Sequence, residues 1–367
     1  MRILYFAPLY YDDMKQRPQQ IAECLSARHE VFYVEPTISL IRWLLLGGRP
    51  FWGGRKRMGR QLHIVRLNGA LTFHKSIEIL DVAGINNLSE WLQIKKLADS
   101  CDVIWTGYSG WYTLIRHFKD KPVIWDKMDE EDLLVQSRLL KKTLRRDKKK
   151  LMERADGTVV TSRIFYKEMK KHGKQTYLVA NAVSASFSGG RAAFGPIGRV
   201  KVFGYIGTIA EWFDMSVIQI LLESDESYEV VLAGRNYMEK LSHPRLHYLG
   251  IKKNSELPGL ISQMDVCLYN FKQTRLLDTV NPVKIYEYLS MNKPVLAVNS
   301  RETRRLVNYV TLYDTPDEIK KLAAGKWKRP FENKKELDAF VAENCWQKRA
   351  ETIEGILAQV RKDFKGR

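Results

Sequence analysis

Cysteine is scarce in this chain of 367 residues: Cys24, Cys101, Cys267 and Cys345 stand far apart, with no C-x-x-C pair and no histidine at metal-ligand spacing. That excludes a disulfide-stapled scaffold or a zinc ribbon, and suits reduced, mostly buried thiols in a cytoplasmic protein. No run reaches the roughly 20 apolar residues that a membrane span requires. The opening MRILYFAPLYY has one positive charge and a short apolar run, but no small-residue cleavage site follows. It reads as a first buried strand and not as a secretory signal. Acid is short relative to base, giving a formal net charge of +18. The excess is uneven: residues 1–180 hold 32 Lys/Arg against 20 Asp/Glu, net +12, and the remainder 28 against 22, net +6. Such a surface attracts an anionic partner, whether nucleic acid, anionic lipid or a phosphorylated substrate.

What the chain does have is alternation. Short runs rich in β-branched and aromatic residues (RILYFAP, EVFYVEP, LHIVRL, CDVIWTG, KPVIWDK, GTVVTS, QTYLVAN) are separated by longer amphipathic segments. This predicts βαβ units and a parallel sheet. A polar, small-residue stretch follows at 184–199, without helical or strand period, and the pattern restarts with VKVFGYIG, YEVVLAG, LHYLG, DVCLYNF, KPVLAVN and VTLYD. The expected organisation is a first Rossmann-like domain over 1–184, a linker over 185–199 and a second such domain over 200–344. A last helix over about 345–367 is expected to pack back on the first domain. Two such sheets would bind ligands beyond the carboxyl ends of their strands.

The segment NPVKIYEYLSMNKPVLA, residues 281–297, packs a proline, a lysine and a glutamate into one turn and then runs into a buried-looking strand. Asn281 is expected to cap a helix with Pro282 in its first position. Lys284 and Glu287, three apart, share a face, while Tyr288 and Leu289 turn to the core. A helix N-terminus and a lysine suit a diphosphate, and the carboxylate suits ribose hydroxyls. An ion pair on an ordinary capped helix explains the same residues. Earlier, VKVFGYIGTIAEWFD ends a strand, places Gly204 and Gly207, and opens a helix near Asp214. Glycines there let backbone approach a phosphate, or mark tight packing alone.

Taken in order, GYIGTIAEWFD, VVLAG, HYLG, NSELPGLISQMDVCLYNF and NPVKIYEYLSMNKPVLA resemble the nucleotide-sugar domain of retaining GT-B glycosyltransferases of the family 4 type. RPQQIAECLSARHEVFYVEP, VIWDKMDE, DGTVVTSRIFYKE and YLVANAV resemble the matching segments of its teichuronic-acid and exopolysaccharide branch. The resemblance implies an α/β GT-B fold and a nucleotide-diphosphate sugar, UDP- or GDP-linked, as co-substrate, with no other cofactor. Glu287 resembles the second glutamate of E-x7-E, which binds the donor ribose. Lys284 is implied as a catalytic residue at the diphosphate, with Val280, Asn281 and their neighbours' amides. The Gly207 loop would face the donor phosphates or the acceptor, with Gly204 and Gly207 both taken as donor-binding, and Ile251 would stand at the base. Two positions depart from the pattern: Thr279, beside Asp278, stands where the first glutamate would be, and Glu211, Trp212, Phe213 and Asp214 stand where relatives carry Arg and Lys. Arg235, Lys272 and Arg275 are the candidate substitutes for that positive charge. Departure of a nucleoside diphosphate is helped by positive groups fixed beforehand. No D-x-D triplet occurs to hold Mg²⁺ or Mn²⁺, so metal-independent transfer with retention is expected.

Asp126 and Asp129 follow a predicted strand and so stand where an acceptor would enter, as candidate catalytic carboxylates; Asp129 as a helix cap is the plain alternative. Arg17 and Tyr108 are the acceptor-side candidates, with Arg17 equally readable as a solvated arginine. His63, His74, His117 and His172 are scattered and read as structural. Residues 37–60 hold six Lys/Arg, no acid, two tryptophans and a leucine cluster. That composition suits a membrane interface, and the KKTLRRDKKK run at 141–150 would add to it. A helix over its apolar part would be about 18 Å long against the roughly 30 Å hydrocarbon core, so it cannot span. The expected protein is a glycosyltransferase extending a lipid-linked glycan at the cytoplasmic face of the membrane. A GT-B sugar-nucleotide epimerase and a basic nucleic-acid-binding protein are the rivals. The first needs histidines grouped at the donor; the second leaves the Lys284/Glu287 helix unexplained.

Overall fold

Parallel strands buried on both faces need continuous apolar runs, and each run named above becomes one. A computed structural model describes the chain apart from residues 14, 41–42, 45–52, 70–84, 136, 185–186, 188–199, 325–332 and 367. Two compact units emerge: Met1–Ala180 with Arg349–Arg367, and Asn181–Lys348. All of the linker predicted at 185–199 except Phe187 lies outside the described residues.

The first unit contains β1 (Arg2–Phe6), β2 (Glu30–Val34), β3 (Ile38–Ser39), β4 (Gly54–Arg57), β5 (Leu62–Arg66), β6 (Asn68–Gly69), β7 (Val103–Thr106), β8 (Val123–Lys127), β9 (Gly157–Val160) and β10 (Thr176–Leu178). Eight of them form one sheet in the order β10-β9-β8-β7-β1-β2-β5-β4, and β3 pairs separately with β6. Every ladder of the large sheet is parallel except β4 on β5. Strand β4, GRKR, is fully exposed and was not anticipated, because it has no apolar face; its charge suits an edge. The last helix, Trp346–Asp363, ends on this unit, where Arg361 pairs with Asp102 at 2.9 Å and Arg28 with Glu354 at 2.9 Å.

The second unit contains β11 (Val202–Ile206), β12 (Glu229–Ala233), β13 (Leu246–Gly250), β14 (Val266–Tyr269), β15 (Val295–Val298) and β16 (Thr311–Tyr313), all parallel, in the order β13-β12-β11-β14-β15-β16. The chain order reverses at β11, which pairs along its whole length with β12 but meets β14 only at Phe203 and Gly204. Such a switch point opens a crevice at the strand ends. The splay also leaves the amide of Ile206 without a strand partner. It donates instead to the hydroxyl of Tyr288 at 2.9 Å, a fully buried side chain of the Val283–Ser290 helix. That helix ends on Asn292, which has φ 59° and takes the left-handed position usually given to glycine. Lys293 then donates to the carbonyls of Ser262 and Met264 at 2.8 and 2.6 Å.

Tyr288→Phe keeps the ring but leaves a buried N–H without an acceptor, which costs about 1 to 3 kcal/mol. Denaturant unfolding should show that loss; a midpoint equal to wild type would mean water or a shifted strand replaces the hydroxyl.

Candidate functional site

Each unit presents polar groups at the carboxyl ends of its strands. In the second unit β11, β12 and β13 run out into Gly207, Gly234 and Gly250. The Gly207 amide donates to Ala233 O at 2.9 Å and the Gly234 amide to Gly250 O at 2.8 Å. A Cβ on Gly234 would lie 1.9 Å from the Gly207 carbonyl oxygen, so no other residue fits between these turns. The Gly207 turn is held on both flanks: Ile209 N–H donates to Arg235 O at 2.9 Å, and Asp214 N–H to Asn270 O at 2.9 Å. Asp214 caps the Met215–Ser224 helix, as its position suggested. Gly204 has a different job from the one inferred for it. It lies inside β11, where a Cβ would meet the Met264 sulfur at 2.1 Å, so it serves packing and does not face the strand end.

The 281–297 segment is corrected at its start. The helix begins at Val283, and no side chain caps it. The Asn281 side chain turns inward, accepting from Asn181 N at 2.9 Å and donating to the buried Glu302 at 3.2 Å. The Val280 and Val283 amides are spent on Leu277 O and Asn281 O, so they do not await a phosphate. Lys284 and Glu287 do share a face, 2.8 Å apart and largely buried, with 19% and 12% of their side chains exposed. Thr279 is buried and gives its hydroxyl to Leu276 O at 2.7 Å, whereas Asp278 accepts from the Arg301 amide at 3.2 Å. Arg235 donates to Tyr237 Oη at 3.1 Å and Ile251 is exposed just after Gly250. Asn270, at the end of β14, was not anticipated: it is fully buried, gives its amide to Asp214 O at 2.9 Å, and its Oδ1 has no donor among the described residues. No motif marks it; the strand-end position was the available signal.

In the first unit, Arg17 opens the Arg17–Leu25 helix and is neither solvated nor free for an acceptor. Its guanidinium grips Asp126 through two nitrogens, at 3.0 and 2.9 Å, with only 4% and 0% of the two side chains exposed. Asp126 is thereby buried and held by Arg17, not open at the strand end as expected. Beside it a chain of alternating charge runs through Lys127, Glu130, Lys148, Asp132 and Arg145, with contacts of 2.7 to 3.2 Å. The Lys127 ammonium also lies 3.5 Å from the Phe165 ring centroid. Burial pulls Lys127 below the usual lysine range, against the pull of Glu130. Asp129 stands apart. It is half-buried, makes no hydrogen bond or ion pair with the described residues, and caps no helix. Burial pushes its carboxyl up, opposed by Lys127 and Arg17. Tyr108 packs against Val135, Leu140 and Leu144. Glu131 accepts from the Ser109 amide at 3.0 Å and from its hydroxyl, and burial pushes it up to about 7. His63 stacks on Phe32 and pairs with Glu30; His74 lies outside the described residues.

No family model matches the chain. Among curated proteins it is similar to one from Bacillus subtilis (strain 168), provisionally named teichuronic acid biosynthesis glycosyltransferase TuaH, at 23% identity over 229 residues. That match takes in 55% of this chain and 57% of the relative, so the chain spans little more than half the relative's length. In structure it is similar to sucrose-phosphate synthase from Thermosynechococcus elongatus, with 13% identity, a TM-score of 0.73, and 99% and 100% of the two chains covered. Anabaena HepE in complex with UDP-glucose follows at 14% identity and TM-score 0.64, covering 98% and 100%. An E. coli structure described as trehalose-6-phosphate bound with UDP-2-fluoro glucose gives 10% identity and TM-score 0.64 over both full chains. The fold is therefore GT-B, two parallel-sheet α/β domains.

Because the folded state holds the Glu131 proton up to about pH 7 and the unfolded chain loses it near 4.5, the folded state binds more protons in between. Stability should therefore fall as pH rises through that window, an effect that the raised Asp129 reinforces from lower pH. Glu131→Gln should shrink the difference in unfolding free energy between about pH 5 and about pH 8. An undiminished difference would place the proton elsewhere.

Proposed function

We propose that the chain is a glycosyltransferase moving a sugar from a nucleotide-diphosphate donor, UDP-linked in preference to GDP-linked, to a glycan acceptor. The observation that carries this is the Lys284/Glu287 face. An ammonium and a carboxylate sit in the first turns of a helix whose next residue, Tyr288, is hydrogen-bonded to the strand entering the Gly207 turn. Lys284 would neutralise charge on the leaving diphosphate and Glu287 would accept from ribose hydroxyls. Support for UDP comes from the HepE structure with UDP-glucose, and support for a cell-surface glycan from the name of the B. subtilis relative. In the first unit, Asp129 is the carboxylate left for an acceptor hydroxyl, since Asp126 is spent on Arg17. Retention and independence of metal complete the reading; the lack of a D-x-D triplet supports the second. The epimerase alternative lacks its grouped histidines among the described residues: His29 and His63 pair with Glu354 and Glu30, and His247 with Glu229.

The acceptor is proposed to be lipid-linked, with the first unit resting on an anionic membrane face. No described helix is long and apolar enough to cross a membrane. Of the 37–60 segment, residues 41–42 and 45–52 lie outside the described residues, but Leu40, Trp43 and Leu44 are exposed and so is all of β4. The Arg138–Arg154 helix adds exposed Arg138, Lys142, Arg145, Arg146, Lys149 and Lys150, with Leu133, Leu134 and Leu139 exposed before and at its start. Each such cation near an anionic leaflet contributes about 1 kcal/mol.

Calorimetric titration of UDP, GDP and ADP in EDTA should show one nucleotide binding, and Glu287→Ala should weaken it roughly 10- to 150-fold, the loss of a hydrogen bond to a charged group. Binding that requires added metal would overturn metal independence, and no binding at all would remove the donor reading. Vesicles of phosphatidylglycerol should sediment the protein at low salt and lose it when Lys142, Lys149 and Lys150 become serine. Equal sedimentation with zwitterionic vesicles would reject the charged contact, and tight oligonucleotide binding in its place would favour the nucleic-acid rival.

A further inference from the structure

The strand ends of the second unit carry two different surfaces. At β11 to β13 they are glycine turns with backbone in close contact. At β14 to β16 they open into a groove of about 450 Å³ lined by Gln273, Thr274, Arg275, Asp278, Arg301 and Arg304, with Asn299 and Asp314 at its wall. Three arginines from two separate loops therefore meet around one polar space.

Their bonding differs from that of Arg245 and Arg305, two other described arginines of this unit. Arg245 is used up on the carbonyls of Leu222, Asp225 and Tyr228 at 2.6 to 2.7 Å, and Arg305 pairs with Glu302 at 3.2 Å. By contrast, Arg275 makes no hydrogen bond or ion pair with the described residues. Arg301 has its nearest carboxylate oxygen, Asp278 Oδ2, at 3.6 Å, beyond hydrogen-bond distance. Arg304 is held through Nε alone, which donates to Asn299 Oδ1 at 3.1 Å, leaving both terminal nitrogens unspent. Asn299 is itself fixed by donating to Asp314 Oδ1 at 2.7 Å, and Gln273 braces the same corner by donating to Asn299 O and Asp314 O. Arg304 is thus oriented through the neutral amide of Asn299, which stands between it and the Asp314 carboxylate. Among the described residues three positive charges face two carboxylates, and no hydrogen bond occupies the terminal nitrogens of the three guanidiniums.

We infer that this groove is a binding site for a phosphoryl group carried on a body of monosaccharide size, separate from the donor site. Planar guanidinium forks match the oxygens of a phosphate two at a time, which ammonium groups do not. The volume exceeds what a bare ion needs and falls within the range of small-molecule sites, about 300 to 1,000 Å³. Asp278 and Asp314 keep the empty groove from carrying three unopposed charges and can accept hydroxyls of the attached body. Arg275, named above as a stand-in for donor-phosphate charge, is reassigned by this grouping: it keeps company with Arg301 and Arg304, not with the glycine turns.

The test is titration of inorganic phosphate, then glucose 1-phosphate, into the full chain, with and without saturating UDP. Both should bind, the sugar phosphate more tightly, and UDP should change either affinity by no more than about twofold. Arg301→Ser combined with Arg304→Gln should weaken both about tenfold or more. Arg275→Gln should also weaken them, and because that side chain supports nothing in the fold, it decides the matter should the double variant melt early. Removing equal charge from the exposed Lys171 and Lys335 is the control and should leave phosphate binding unchanged. The inference is overturned if phosphate does not bind, if UDP displaces it, or if the arginine variants bind it as well as wild type. Failure of UDP itself to bind would count against the donor reading alone, since the phosphate titration is read without it.

Discussion

The hydroxyl of Tyr288 is the joint on which the second unit's strand ends depend. At a switch point two neighbouring parallel strands part, and the amide that faced the departing strand loses its acceptor. Here that amide belongs to Ile206, one residue before Gly207, and the acceptor that replaces the strand comes from a helix. A single bond therefore satisfies a buried donor and sets the Val283–Ser290 helix against the strand that enters the glycine turn. The residues on either side inherit that registration. Glu287 precedes Tyr288, and Lys284 lies one turn earlier. Close backbone contact at Gly207 and Gly234 then fixes the turn itself, because nothing larger than hydrogen fits on Gly234.

The first unit meets the same problem, polar groups gathered at a sheet's carboxyl edge, by charge pairing. Arg17 and Asp126 stand 109 residues apart in the sequence and are both withdrawn from water, so each is tolerable only because the other is present. The Lys127, Glu130, Lys148, Asp132 and Arg145 chain extends the principle toward the surface, where the last guanidinium is solvated. In this setting Asp129 is conspicuous by its lack of a partner. Lys127 and Arg17 lie near enough to oppose the rise that burial gives its carboxyl, but neither forms a hydrogen bond or ion pair with it among the described residues.

Most of the fold was readable because parallel strands announce themselves: every apolar run named from the sequence is a strand, and Trp346–Asp363 is the last helix. What escaped were pieces without an apolar signature, above all β4, whose four residues are all exposed. For the candidate site, the sequence showed residue types but not the contacts those residues make. Gly204 and Gly207 look alike in sequence, yet one answers to Met264 and the other to Gly234, a difference set by which face of the strand is covered. Asn281 carries the right side chain for a cap, but a buried glutamate 21 residues away competes for it and wins. Arg17 gave no sign of burial, because its partner lies 109 residues downstream. Long-range pairing of polar groups leaves no periodicity in either segment.

The Lys284/Glu287 pair illustrates why the plain reading and the functional one were hard to separate. The two side chains do form an ion pair, at 2.8 Å, as an ordinary helix surface would allow. They are nevertheless mostly buried, and a mostly buried charge without a counterpart is costly. On the proposed function, a diphosphate would take over the ammonium while ribose hydroxyls take over the carboxylate, so neither charge would be stranded in the empty or the loaded state. A helix bearing only one of the two would carry that cost whenever the donor was absent. On that reading the ion pair is the contact a donor would displace; by itself it stabilises the helix.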